Sequence, residues 1–299
     1  EARSWGGVRE EEHSPVCPRM GKIAQLVIGP AGSGKTTYCQ AMRERCENGR
    51  RPVHVMNLDP AAEDRPEWSL NIKDLISLED VMEEMGLGPN GGLVYCLEFL
   101  LENIDWLKEE LGDFADDYLI MDCPGQIELY SHIPVMKNLV RELQELGYSV
   151  CCLFMLDSQF IEDASKFMAG VLSCMSAMVQ LEVPHLNVLT KCDLLGDMYS
   201  EIEQQDEEDY EFSKLGRFLL PDGEELLSGL NRSVSRRFRK LNQALARLID
   251  EFSLVKFVPL NIYSEDSMDS LLLQVDTATQ FGEDAEVHDR LVGEDESSS

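Results

Sequence analysis

Gly29-Pro30-Ala31-Gly32-Ser33-Gly34-Lys35-Thr36 decides the fold. It fits the pattern G-x-x-x-x-G-K-[ST] without a mismatch. Ahead of it runs Ile23-Ala24-Gln25-Leu26-Val27-Ile28, an apolar run of strand length. Behind it, Thr37-Tyr38-Cys39-Gln40-Ala41-Met42 opens a helix. A glycine-rich turn between strand and helix lets backbone N–H groups close around phosphate oxygens. The helix N-terminus adds partial positive charge beneath them. Lys35 is placed to reach β- and γ-phosphates as a point charge, and Thr36 to offer its hydroxyl to Mg²⁺. The candidate phosphate-binding residues are therefore Gly32, Ser33, Gly34, Lys35, Thr36 and Thr37. The plain alternative is a strand-to-helix turn that binds nothing.

Outward from that motif, short apolar runs recur at Val53–Asn57, Tyr118–Met121, Val150–Leu156, Leu186–Leu189 and Val255–Val258. Runs apolar throughout predict strands covered on both faces. Helical stretches separate them, at Thr36–Asn48, Leu78–Met85, Pro134–Leu146, Ile161–Leu181 and Val234–Phe252. Strand–helix alternation predicts an α/β fold, a mostly parallel sheet with helices on both faces. Ligands of such sheets bind beyond the strands' carboxyl ends.

Each further polar motif but one follows a predicted strand. Asp122-Cys123-Pro124-Gly125-Gln126 follows Tyr118–Met121. An Asp at that strand tip holds Mg²⁺, usually through water, so Thr36 and Asp122 are the candidate metal residues. Gly125 lets its N–H approach a γ-phosphate, whose loss releases the loop from Gln126 to Pro134. Gln126 is one candidate for placing the attacking water. The other is Asp59 in Asn57-Leu58-Asp59-Pro60-Ala61-Ala62-Glu63, whose plain alternative is an Asx-type turn.

Thr190-Lys191-Cys192-Asp193 follows Leu186–Leu189 and reads as a guanine-recognition run. The Asp accepts two hydrogen bonds, from N1–H and the exocyclic amine, and adenine lacks both donors in that arrangement. Two such bonds give discrimination on the order of a hundredfold. The Lys stem packs along the base. Thr190 stands where Asn is usual, so a tethering side-chain amide is expected to be lost. Gly88-Pro89-Asn90-Gly91-Gly92 follows no strand; its composition reads as a rigid turn carrying one amide. The cradle and the Thr-Lys-Cys-Asp run together argue for a GTP-binding switch or GTPase.

Composition bounds the rest. The chain has 299 residues, 43% of them hydrophobic, enough for one large α/β domain. Its formal net charge of −30 disfavours direct nucleic-acid or anionic-membrane binding. The nine cysteines are scattered and form no C-x-x-C pair, which predicts free thiols in the cytoplasm or nucleus; composition does not separate the two. No apolar run approaches transmembrane length. Residues 1–20 read as a disordered extension, with Met20 the expected usual start, and residues 283–299 as a disordered acidic tail. The acidic stretch Glu201–Glu211 and the basic Ser235–Lys240 read as solvated faces. Met168, Met175 and Met178 mark either a dimer face or core.

In order, Gly-Pro-Ala-Gly-Ser-Gly-Lys-Thr, Asn-Leu-Asp-Pro-Ala-Ala-Glu, Gly-Pro-Asn-Gly-Gly, Asp-Cys-Pro-Gly-Gln-Ile-Glu-Leu and Thr-Lys-Cys-Asp resemble the GPN-loop GTPases over residues 21–282. The resemblance implies a three-layer P-loop NTPase fold and Mg²⁺-dependent GTP hydrolysis. It implies dimers, with another GPN-loop GTPase or a second copy. Gly88, Pro89 and Asn90 would reach the partner's nucleotide site, where Asn90 stabilises the transferring phosphate. It also implies a role in RNA polymerase II assembly and nuclear import. The competing classes are a non-catalytic GTP-binding scaffold and a P-loop nucleotide kinase. The kinase reading lacks an Arg-rich lid and leaves Asp193 without a role.

Overall fold

In the computed structural model, the protein is described over residues 21–112, 118–203, 213–233, 235–251 and 255–281. Strands are β1 (Ile23–Ile28), β2 (Val53–Asn57), β3 (Leu70–Asn71), β4 (Tyr118–Asp122), β5 (Ser149–Asp157), β6 (His185–Thr190) and β7 (Phe257–Pro259). Helices up to β5 are α1 (Lys35–Asn48), α2 (Leu78–Met85), α3 (Pro89–Glu102), α4 (Ile104–Gly112), α5 (Glu128–Ser131) and α6 (Val135–Glu145). Beyond β5 come α7 (Ala164–Leu181), α8 (Asp197–Glu203), α9 (Gly216–Leu219), α10 (Gly223–Ser233), α11 (Arg239–Glu251) and α12 (Glu265–Thr279).

The strands form one sheet in the order β3-β2-β4-β1-β5-β6-β7, and every pairing is parallel. Alternate residues of β1 explain the unbroken apolar run. Ala24, Leu26 and Ile28 face a core built with α3, α4, α6, α7 and α10. Ile23 and Val27 face a second core built with Tyr38, Cys39 and Met42 of α1 and Met268, Leu271 and Val275 of α12. With both faces covered, no position of β1 is left for a solvated side chain. Gln25 is the polar exception: buried in β1, it accepts a hydrogen bond from the Tyr38 hydroxyl at 2.8 Å and its amide contacts Tyr118.

The predicted strands and helices fall on observed ones, with two corrections. The Gly-Pro-Asn segment is not a loop past Gly88. Gly88 is the N-cap of α3, and Pro89 starts that helix with its missing N–H and fixed φ. The loop after Gln126 contains the short helix α5. Among the described residues, one helix, α7, is long and apolar enough to cross a membrane by length and composition, contrary to expectation. In the fold, Asp163 caps it, and Phe167, Met168, Val171, Cys174 and Met175 belong to the core. The methionine face is therefore core: Met168 and Met175 are buried and Met178 packs partly buried beside them. Arg236, Arg237, Arg239 and Lys240 are exposed, as read. Residues 1–20 and 283–299, and all but the first three positions of the acidic stretch from Glu201, lie outside the described residues.

Candidate functional site

The cradle spans Gly29 to Gly34 between β1 and α1. Its entry depends on glycine. Gly29 has φ 136°, and a Cβ there would lie 2.3 Å from the Met155 carbonyl oxygen of β5. At its exit, Gly34 is the N-cap of α1 and supplies no side-chain cap. The first N–H groups of α1 therefore have no intrahelical partner and suit an anion. Lys35 is nearly buried and folds back over the cradle, donating from Nζ to the carbonyls of Gly29 and Pro30, each at 3.1 Å. Thr36 and Thr37 follow in the first turn, Thr37 exposed.

Strand register brings the next groups in. Val27 of β1 and Asn57 of β2 both pair with Asp122 at the tip of β4. Asp122 is 2% exposed, and the neighbouring Thr36 hydroxyl favours the charged form of its carboxylate. Burial pushes the Asp122 carboxyl up to about 6, against the opposing pull of Thr36 and Lys35. Burial likewise lowers Lys35 from the usual lysine range, although Asp122 counteracts it. Both groups are thus pressed towards neutrality, a state that a triphosphate and a cation would reverse. Asp122 Oδ2 is buried without a hydrogen-bond partner. That orphaned oxygen beside the Thr36 hydroxyl is a hard-oxygen pair that fits Mg²⁺. Among the described residues, no cluster of three His, Cys, Asp or Glu side chains forms a metal cage. Mg²⁺ commonly keeps waters and phosphate oxygens rather than an all-protein cage.

Two residues beyond Asn57, Asp59 forms the Asx turn, with Oδ1 accepting from the Ala61 N–H at 3.0 Å. The Asn57 side chain clamps the Asp59 backbone from both sides, at 3.0 Å each. The turn and the site position coexist, since Asp59 acts electrostatically on both Lys35 and Asp122. Gly125 lies against the cradle: a Cβ on it would sit 2.8 Å from the Ala31 Cα. The Gln126 amide donates to Asn90 Oδ1 at 3.0 Å, so the Gly-Pro-Asn segment of the chain's own α3 stands beside the Asp-Cys-Pro-Gly-Gln run. Gly88, Pro89 and Asn90 are exposed.

The Thr-Lys-Cys-Asp run reaches the cradle from the other side. Thr190 Oγ1 donates to the Ser33 carbonyl at 2.7 Å, so the hydroxyl supplies the tether expected to be lost with the missing amide. Lys191 Nζ donates to the Gly32 carbonyl at 2.8 Å and lies 2.6 Å from Asp157 Oδ2. Asp193 is exposed at a slot of about 220 Å³ lined also by Gly34, Thr37, Tyr38, Thr190 and Lys191. Leu260, Ile262 and Tyr263, just past β7, belong to the same lining. Sequence reasoning missed these three and Asp157, although it had found both parent strands. The strand-end rule that located the other motifs points to them as well. A larger cavity of about 520 Å³, lined by residues such as Gly216, Arg217 and Lys256, contains none of the motif residues.

A family model described as a conserved hypothetical ATP-binding protein matches residues 27–281. The chain is 54% identical to GPN-loop GTPase 3 of Dictyostelium discoideum, over 89% of this chain and 90% of the relative. It is 48% identical to GPN-loop GTPase 3 of Saccharomyces cerevisiae, over 89% and 96% respectively. Among solved structures, an apo-form GTPase from Pyrococcus abyssi superposes with a TM-score of 0.66 at 21% identity. That superposition covers 86% of this chain and 97% of the other, and it supports the fold. Such identity along nearly nine-tenths of the sequence, with every motif in order, makes the chain a member of the GPN-loop GTPases.

Proposed function

We propose that the chain binds GTP with Mg²⁺ and hydrolyses the β–γ phosphoanhydride, acting as a nucleotide-dependent assembly switch in a dimer. One observation carries the nucleotide reading: cradle and base slot are continuous, with Gly34 and Thr37 lining the slot that exposes Asp193. The matching family description speaks of ATP. A carboxylate acceptor at the slot favours guanine, which presents two donors where adenine presents none.

Each residue has a part in phosphoryl transfer to water. The N–H groups of the cradle and of Lys35, Thr36 and Thr37 bind the triphosphate. Lys35 releases the two cradle carbonyls and takes phosphate oxygens in exchange. Thr36 and Asp122 hold Mg²⁺, which supplies charge neutralisation on the phosphate oxygens. Gly125 brings its N–H towards the terminal phosphate. Asp59 places the attacking water; the Gln126 amide is the alternative, and its engagement with Asn90 favours Asp59. Lys191 and Asp193 hold the base.

The dimer reading rests on the family resemblance and on the exposure of Gly88, Pro89 and Asn90. We assign the partner as another GPN-loop GTPase, with a homodimer as the alternative. In it, Asn90 donates to the transferring phosphoryl group in the partner's site. The resemblance extends the proposal to RNA polymerase II subunits as clients and to work in the cytoplasm and nucleus. The eight described cysteines, all buried free thiols, agree with those compartments. The net charge of −30 favours protein partners over nucleic acid or membrane.

Hydrolysis measured against protein concentration, with and without a second family member, tests the dimer. The rate per chain should rise with concentration and partner. A fast rate independent of both overturns the shared site. Replacing Asp193 by Asn should shift preference from GTP to xanthosine triphosphate, and undiminished GTP preference overturns the guanine reading.

A further inference from the structure

We propose that Asp157 and Ser158, at the end of β5, are positioning residues for base recognition, an inference that rests on the guanine reading of Asp193. Both are nearly buried, and neither lines the slot. They act through Lys191. That residue turns the chain out of β6 with φ 58° and ψ 35°, a left-handed backbone that residues with a Cβ rarely adopt. The turn directs Asp193, two positions on, to the slot. Something must hold a lysine in that conformation, and the contacts show what does.

The register pairs Asp157 of β5 with Thr190 of β6, one residue before the turn. Asp157 Oδ2 then takes Lys191 Nζ at 2.6 Å, and Ser158 Oγ donates to the Lys191 carbonyl at 2.9 Å. Lys191 is thus fixed at its side-chain tip and at its backbone by consecutive residues of one strand end. Asp157 is itself fixed, because Oδ1 accepts the Gln159 N–H at 2.9 Å and caps the short 3-10 turn that follows. The ammonium has a third contact, the Gly32 carbonyl of the cradle at 2.8 Å. A charged acceptor on a half-buried ammonium holds it more tightly than a neutral one. The pair therefore joins base reader and phosphate cradle into one unit. Without Asp157 and Ser158, the left-handed turn loses two of its restraints and Asp193 samples orientations that do not meet a purine edge.

The inference is tested by calorimetric titration of GTP and of ATP, each with Mg²⁺, on wild type, Asp157→Asn, Ser158→Ala, Asp193→Asn and the double variant of Asp157 and Asp193. Thermal unfolding is followed in parallel. Asp157→Asn should reduce the GTP-to-ATP affinity ratio about tenfold, and Ser158→Ala about threefold in the same direction. In the Asp193→Asn background, Asp157→Asn should change the ratio no further, because there is no longer a base reader to position. A merely structural role would weaken both nucleotides together and leave the ratio alone; that result overturns the proposal. If Asp157→Asn does not fold, Ser158→Ala decides by the same ratio. A wild type without preference for GTP removes the guanine reading and this inference together. A wild-type preference lost in Asp193→Asn, but kept in Asp157→Asn and Ser158→Ala, removes this inference alone.

Discussion

At the scale of single residues, the site keeps two ionisable groups in an uncomfortable state. Asp122 is buried with one oxygen orphaned, and burial raises its carboxyl to about 6. A carboxyl whose folded value lies above its unfolded one binds more protons in the native state. Between about pH 4 and pH 6, the nucleotide-free chain therefore loses stability from this residue as pH rises. The full loss above that window is about 3 kcal/mol. Asp122→Asn removes the dependence. Urea unfolding of the two proteins at pH 4.5 and pH 7.5 should show the variant gaining on wild type at the higher pH. A difference that stays constant with pH contradicts the burial argument. Thr190 teaches the opposite lesson about residues. The sequence suggested a missing tether because an amide was absent, yet a hydroxyl one bond shorter reaches the Ser33 carbonyl. Which group spans a gap depends on backbone separation, and residue identity alone does not carry that.

At the scale of elements, most of the sheet was legible because its longer strands are largely apolar on both faces, and both faces are covered. The strand runs Ile23–Ile28 and Val53–Asn57 and the helix Leu78–Met85 were read with the bounds observed. The start of α3 was illegible for a physical reason. Gly-Pro-Asn-Gly-Gly has turn chemistry, but Pro at a helix start removes an N–H that needs no partner there. The helix is then held by contact rather than propensity: Gly92 packs against Leu78 and Met82 of α2. β3 was too short, at two residues, to leave a pattern. The slot residues past β7 carried no motif, and only the sheet order places them beside Asp193. Gly125 ties two elements together, since a methyl group there meets the Ala31 backbone rather than a movable side chain. Gly125→Ala should displace the cradle and weaken GTP binding about tenfold or more, with little loss of global stability. Calorimetry paired with thermal unfolding checks this; unchanged affinity would show that the loop after β4 yields instead.

At the scale of the molecule, α12 closes the fold against the far end of the sheet. Arg51, just before β2, forms a two-pronged pair with Asp276 at 2.9 Å for each prong. Its guanidinium lies over Tyr118 at 4.1 Å and Phe281 at 3.9 Å. The pair is mostly shielded from water, so removing one partner leaves a charge in a poor environment. Asp276→Ala should cost about 2 kcal/mol of stability in urea unfolding, and a change near zero would place the clamp among ordinary surface pairs. The clamp lies across the sheet from the nucleotide motifs, which occupy the strands' carboxyl ends.

The nucleotide reading joins both ends of one ligand, its phosphates at Lys35 and its base at Asp193. Competition calorimetry with GTP and ATP in the presence of Mg²⁺, on wild type and Lys35→Ala, addresses both at once. On this reading, wild type prefers GTP by a factor on the order of a hundred, and Lys35→Ala loses most of its affinity. Equal affinity for the two nucleotides, or full affinity for GTP without Lys35, would contradict it.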